Sequence, residues 1–341
     1  MRSARTVLPV IGIVTLLAGA ALFQQAAPDR YGLPEIEVLE PGPTGQRVDQ
    51  DELFGNFYPA AGNAGSSQDA PHPAVLLLGG SEGGLGGGAK QMALSLQEEG
   101  FIVLHLAYFG APEQPDALER IPLELFDQAL EWLKEQPGVD PERLAVVGAS
   151  KGAEAALLVA SRRSDLSAVV AGMPTSVAWN GISWASYGQS PYSSWTASGE
   201  EVPTMPFSDW NASDGIISVY RTIEDPTQRA NADRAAIPIE RSSARIMLVC
   251  GEAETMWPAC PMSRMIAERS AERSGPSTTV LAYQDAGHFV FGPPMAPGDA
   301  FYDRLDTFGG SVEGNATARA DSWPKVVAFL KAKAADKEGL F

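Results

Sequence analysis

The sequence predicts an α/β fold: a mostly parallel central sheet with helices on both faces and a single insertion. Three observations carry this. Short apolar runs alternate along the chain with segments of helical periodicity, the pattern of a parallel sheet covered on both sides. Glycine-rich turns follow two of those runs, at 79–88 and 148–152. With 341 residues, 45% hydrophobic and 20% charged, the chain can bury a sizeable core and is not disordered.

Arg2 and Arg5 precede residues 6–28, which carry no charge at all. The apolar part, 7–23, is close to the length needed to cross a bilayer of ~30 Å. Pro9, Gly12 and Gly19 argue against a core helix there, and the small-residue run Ala18-Gly19-Ala20 completes an export-signal pattern. An uncleaved membrane anchor through 7–23 is the alternative. The protein is therefore expected to be exported, either periplasmic or extracellular, or held at the membrane by its N-terminus. Residues 29–72 form an N-terminal extension rich in Pro, Gly and polar residues, with one strand around 53–58 and a loop over 62–73.

The catalytic domain is expected over 73–341. A strand at 74–78 leads into the glycine-rich 79–88 and a helix over 89–99. A strand at 101–106, a helix at 122–136, a strand at 144–147, a helix at 151–162 and a strand at 168–171 follow. An irregular stretch, 179–241, holding Trp184, Trp195 and Trp210, reads as a cap inserted into the domain. Alternation resumes with a strand at 245–250, a helix at 261–274, a strand at 278–283 and a helix at 322–333.

Charge and composition narrow the function. Lys plus Arg total 25 against 42 Asp plus Glu, a net charge of −17. That balance argues against nucleic acid as a partner and against docking on anionic lipid through a basic face. Three histidines and two cysteines argue against a His- or Cys-rich metal site, and no cofactor or metal is implied. Cys250 and Cys260 can pair in an oxidising compartment or remain free thiols, and both readings stand.

Gly148-Ala149-Ser150-Lys151-Gly152 joins a strand to a helix and fits G-x-S-x-G, the nucleophile elbow. Glycines are required where strand and helix backbones approach too closely for a Cβ. A second match, Gly79-Gly80-Ser81-Glu82-Gly83, also follows a strand, but 85–88 delays the next helix, so no elbow forms. Ser150 is the predicted nucleophile. The 79–84 loop is the predicted oxyanion loop, acting through the backbone N–H of Ser81 or Glu82, with the N–H of Lys151 as second donor. The Lys151 side chain can meet an anionic leaving group or pair with Glu154 at i+3.

A serine needs a base to become nucleophilic. His72 lies between two prolines and reads as solvated, and His105 sits in an apolar run and reads as a packed, hydrogen-bonded strand residue. His288, after the last strand, follows Ser150 as the order nucleophile, acid, histidine requires. The acid is expected after the strand ending at Cys250. Glu254 is the first choice, Glu252 the second and Asp285 a distant third.

The strings Leu78-Gly79-Gly80-Ser81-Glu82-Gly83-Gly84, Leu106-Ala107-Tyr108, Ile121-Pro122-Leu123-Glu124 and Gly148-Ala149-Ser150-Lys151-Gly152-Ala153-Glu154 resemble those of one family. So do Gly287-His288-Phe289, Pro293-Pro294 and the terminal run opened by Ser322-Trp323-Pro324. It is the catalytic domain of acyl-CoA thioester hydrolases and bile acid-CoA:amino acid N-acyltransferases, and the likeness covers roughly 73–333. The resemblance implies an α/β-hydrolase fold and a Ser/Cys–His–Asp triad, matched here by Ser150, His288 and Glu254, with Glu in place of the usual Asp. Residues 29–72 are too few for the amino-terminal β-sandwich of the animal enzymes. Serine at 150 implies transfer of the acyl group to water, so the expected activity is cleavage of small acyl thioesters. Two other readings stand beside it: an exported carboxylesterase of dienelactone-hydrolase type acting on oxygen esters, and an inactive, membrane-tethered binding domain.

Overall fold

A computed structural model describes residues 36–60, 71–186, 188–272 and 275–332; the predicted leader at 7–23 lies outside them. The strands are β1 (Gln46–Gln50), β2 (Leu53–Tyr58), β3 (His72–Leu78), β4 (Ile102–Ala107), β5 (Ile121–Pro122), β6 (Val139–Ala149), β7 (Ala168–Gly172), β8 (Trp195–Ala197), β9 (Glu200–Glu201), β10 (Arg245–Gly251) and β11 (Thr278–Tyr283). The helices are α1 (Gly87–Glu98), α2 (Leu123–Lys134), α3 (Lys151–Arg162), α4 (Arg229–Ala235), α5 (Ala259–Ser270) and α6 (Val312–Lys331). Eight strands make one sheet in the order β1-β2-β4-β3-β6-β7-β10-β11, and β5-β8-β9 make a small second one. In the large sheet β1 and β2 pair antiparallel, as do β2 and β4, and the remaining neighbours are parallel.

The strand sequences are nearly all apolar because both faces are covered. Side chains alternate between two cores, as a period of two demands. Leu76, Leu78, Leu104, Val146 and Leu248 pack on one face with α2 and α3 residues such as Phe126 and Leu157. Val75, Leu77, Val103, Val147 and Val249 pack on the other with Ala93 and Leu96 of α1 and Trp323 and Val326 of α6. Arg245 ties sheet to helix. Its guanidinium donates to the carbonyls of Phe329 and Ala332 at 2.7 Å each, satisfying acceptors that the end of α6 leaves free.

Strand order places the site. β4 adds to one side of β3 and β6 to the other, so the chain reverses direction of growth between β3 and β6. Open α/β sheets have their crevice beyond the carboxyl ends of the strands at such a reversal. Leu78 pairs with Gly148 there, so the 79–84 loop and the turn at Ser150 leave the sheet side by side.

Several elements differ from the sequence reading, β5, β8, β9 and α4 being additional to it. The 29–72 segment contributes two strands to the main sheet; β1 was missed because Arg47 and Asp49 break the apolar pattern, which an antiparallel edge strand tolerates. β6 starts at Val139, before the apolar run. α6 starts at Val312, well ahead of the expected start at 322: the Ser311 side chain accepts the Gly314 N–H, and Pro324 lies inside the helix. The 179–241 insertion is mostly 3₁₀ turns and isolated bridges around β8, β9 and α4. Among the described residues no helix is long and apolar enough to cross a membrane.

Candidate active site

Ser150 stands between β6 and α3 with φ 55° and ψ −121°, a conformation that L-residues avoid and that survives only where the surroundings fix it. The surroundings are the two glycines. A Cβ on Gly148 would meet the Gly152 carbonyl oxygen at 2.1 Å, and one on Gly152 would meet the Gly79 oxygen at 2.2 Å. Strand, helix and the 79–84 loop are therefore in backbone contact, as the elbow motif requires.

Ser150 Oγ lies 3.1 Å from His288 Nε2. On the far side of the ring, His288 Nδ1 bonds to Glu254 Oε1. The structure thus brings the three first-choice residues together, and it sends the other carboxylates elsewhere. Glu252 pairs with Arg264 at 2.8 Å, and Asp285 accepts from the Ser311 hydroxyl at 2.6 Å. His288 is 5% exposed and is ringed by Trp257, Phe289 and Phe308 at centroid distances of 6.1, 6.2 and 6.1 Å. Burial pushes the Glu254 carboxyl up, while the adjoining imidazole draws it back toward the ionised form.

The remaining histidines are not at this site. His72 is not the free loop residue expected: it opens β3, and its Nδ1 is 3.0 Å from the Gly100 oxygen. His105 is packed in β4 at 1% exposure, but its Nδ1 has no hydrogen-bond partner, and burial lowers its pKa to about 3.

Gly80 and Gly83 close a turn whose central residues are Ser81 and Glu82; the turn's own bond uses the Gly83 N–H. The Glu82 carboxylate folds back onto the Gly80 N–H at 3.0 Å. A Cβ on Gly80 would lie 3.1 Å from Ser150 Cβ, so this turn borders Ser150 directly. Lys151 is the first residue of α3, where a backbone N–H has no helical acceptor. Its side chain does not reach toward a substrate: Nζ is buried against Glu154 Oε2 at 2.7 Å. Burial raises the Glu154 pKa and lowers that of Lys151, with their mutual attraction opposing both shifts.

Several positioning contacts escaped the sequence reading. Tyr108 Oη donates to the carbonyls of Gly79 and Gly80 at 2.7 and 3.2 Å. Asn315 Oδ1 accepts the Gly287 N–H at 2.9 Å, and Arg319 donates to the carbonyls of Phe291 and Pro293 at 2.7 and 2.9 Å. The first half of α6 therefore holds the His288 loop. Tyr108 stood in a motif already singled out; Asn315 and Arg319 carry no local signal. Cys250 and Cys260 form a disulfide that closes the loop bearing Glu254 and Trp257. Among the described residues no three His, Cys, Asp or Glu side chains are grouped to hold a metal ion.

A hydroxyl bonded to an imidazole whose other nitrogen meets a carboxylate can lose its proton as it attacks an electrophilic carbon. Comparison with known proteins adds to this geometry. Residues 121–336 match the family model described as BAAT / Acyl-CoA thioester hydrolase C terminal. The mouse mitochondrial acyl-coenzyme A thioesterase 2 is 25% identical over 271 residues, 77% of this chain and 56% of that protein. The mouse bile acid-CoA:amino acid N-acyltransferase is 27% identical over 271 residues, 77% of this chain and 60% of that protein. The chain thus spans somewhat over half the length of these relatives. Among solved structures, a puromycin-hydrolyzing peptidase of Mycobacterium tuberculosis superposes with a TM-score of 0.56 at 15% identity, over 85% of this chain and 40% of that one. The fold is that of the α/β-hydrolases.

Proposed function

The chain belongs to the BAAT / acyl-CoA thioester hydrolase C-terminal family, and on that premise we propose that it is a serine hydrolase cleaving acyl thioesters through Ser150, His288 and Glu254. The observation that carries the reading is the continuous contact from Ser150 Oγ through His288 to Glu254. Ser150 Oγ attacks the acyl carbonyl carbon while His288 Nε2 takes its proton. The resulting oxyanion is held by the N–H of Lys151 and by the 80–83 turn, through Ser81 or Glu82. Collapse breaks the carbon–sulfur bond, and His288 returns the proton to the departing thiolate. Water then gives its proton to His288 and attacks the acyl-enzyme. A second collapse releases the carboxylic acid and restores the Ser150 hydroxyl. Glu254 holds the imidazole in one tautomer and stabilises its protonated form.

Export, by signal or by anchor, remains part of this proposal. The Cys250–Cys260 disulfide supports it, since such bonds persist in oxidising compartments. One observation favours a second reading, an oxygen esterase. Lys151, the cation nearest the nucleophile in sequence, is consumed by Glu154, and a chain of net charge −17 offers little to the phosphates of CoA.

Hydrolysis by the purified protein of acyl-CoA thioesters and matched p-nitrophenyl esters separates the readings. Thioester turnover that falls at least about 10³-fold in Ser150→Ala is expected. Ester-only turnover moves the protein to the second reading. Turnover of neither, with no labelling by a fluorophosphonate, leaves a binding domain.

A further inference from the structure

The nucleophile helix carries a buried ion pair between Lys151 and Glu154. Lys151 is 2% exposed at its side chain and Glu154 fully buried. Burying two charges costs solvation that their attraction barely returns, and apolar replacements of such pairs are often neutral or stabilising. What distinguishes this pair is where its second oxygen goes. Glu154 Oε1 accepts from the indole N–H of Trp195 at 2.6 Å and from the backbone N–H of Trp179 at 3.1 Å. Both tryptophans belong to the 179–241 insertion and are fully buried. The Trp195 ring also lies 5.6 Å below Lys151 Nζ and 5.8 Å from the ring of Tyr108.

Tyr108 leads to the other half of the oxyanion site, because its hydroxyl holds the carbonyls of Gly79 and Gly80. The insertion reaches the same loop a second time. Trp184 donates its indole N–H to the carbonyl oxygen of Ser81 at 2.9 Å. A carbonyl held from outside fixes the peptide plane that follows it, and the Ser81 carbonyl shares its plane with the Glu82 N–H. The insertion is thus bonded to α3 through Glu154 and to the oxyanion turn through Ser81.

We propose that the 179–241 insertion is a buttress of the oxyanion hole, and that Trp184, Trp195 and Glu154 are positioning residues that hold the N–H groups of the 80–83 turn and of Lys151 in register. The inference rests on the reading of Ser150 as nucleophile. It gives the insertion a task different from selecting the acyl chain. A selector acts on the ground state and on KM, in a manner that varies with chain length. A buttress acts where charge develops, and so on kcat, for every acyl group alike.

The test uses Trp184→Phe and Trp195→Phe, which remove one N–H each while keeping an aromatic ring, with Ser150→Ala as control. Kinetics with short- and long-chain p-nitrophenyl esters and acyl-CoA thioesters are read beside the rate of fluorophosphonate labelling and the Tm. The expected result is a fall in kcat of about 10- to 100-fold in each variant, with KM within about twofold, equal across chain lengths, and a parallel fall in labelling rate. Trp184, at the half-buried end of the chain of contacts, keeps the test decisive should Trp195→Phe fail to fold. Unchanged kcat in a folded Trp184→Phe protein, or a rise in KM confined to one chain length, overturns the proposal. Turnover and labelling that survive in Ser150→Ala overturn instead the reading on which it rests.

Discussion

Burial gives the histidines of this chain separate chemistries. His288 meets a hydroxyl on one side and a carboxylate on the other, so both ring nitrogens have partners. His105 sits among apolar strand residues beside β2, where desolvation, and secondarily the charge of Arg47, bring its pKa down to about 3. The consequence for stability follows from proton counting. Between an ordinary value near 6.5 and about 3, the unfolded chain binds a proton at this residue and the folded protein does not. Stability from this group is therefore complete above pH 6.5 and falls with acidification, by up to about 1.4 kcal/mol per pH unit. The urea midpoint of the native protein is expected to drop more steeply from pH 6.5 to 4 than that of His105→Gln. Parallel slopes would contradict the assignment of a neutral, buried ring. Ser150 shows strain of another sort. Its positive φ costs about 1–3 kcal/mol, which persists because Gly148 and Gly152 let three backbone segments close around it.

The element that brings Glu254 to His288 is the loop from β10 to α5, and it is stapled at both ends. Cys250 and Cys260 are 10 positions apart and fully buried, with Glu254 and Trp257 between them. Closing so short a loop removes roughly 3 kcal/mol of freedom from the unfolded chain. It also limits how far the Glu254 carboxylate can leave the imidazole. The Cys250→Ala/Cys260→Ala variant is expected to melt at lower temperature and to lose several-fold in kcat with little change in KM. A loss of Tm with kcat intact would reduce the bond to a stability device. Elements also differ in how legible they were. α3 and β11 follow the sequence closely because periodicity, glycine turn and apolar run agree. The first half of α6 was hidden by Gly314 and Asn315, poor helix formers ahead of the apolar run; Asn315 is nevertheless bonded to the His288 loop 28 residues away. Ser150, Glu254 and His288 could be named because motif and chain order are local facts. Trp184 and Ser81 lie 103 positions apart, and nothing local announces their bond.

At the scale of the molecule, the topology makes one site from distant segments. β3 and β6 are neighbours although β4 intervenes in sequence, so the 80–83 turn and Ser150 meet at the reversal of strand order. The third component, the loop carrying Glu254, is closed by the Cys250–Cys260 disulfide, and reducing compartments keep such thiols reduced. Under the proposed function, export and catalysis are coupled through one covalent bond: the uncharged segment at 6–28 would direct the chain to where Cys250 and Cys260 can join, and their bond limits how far Glu254 can leave His288. With the segment intact, the protein is expected outside the cytoplasm of an exporting bacterial host, with no thiol open to alkylation after denaturation. A form lacking residues 1–28, retained in the cytoplasm, is expected to expose two alkylatable thiols on denaturation and to turn over several-fold more slowly until oxidised. Recovery of the intact chain from the cytoplasm, with free thiols and full activity, would break the link between leader, disulfide and triad.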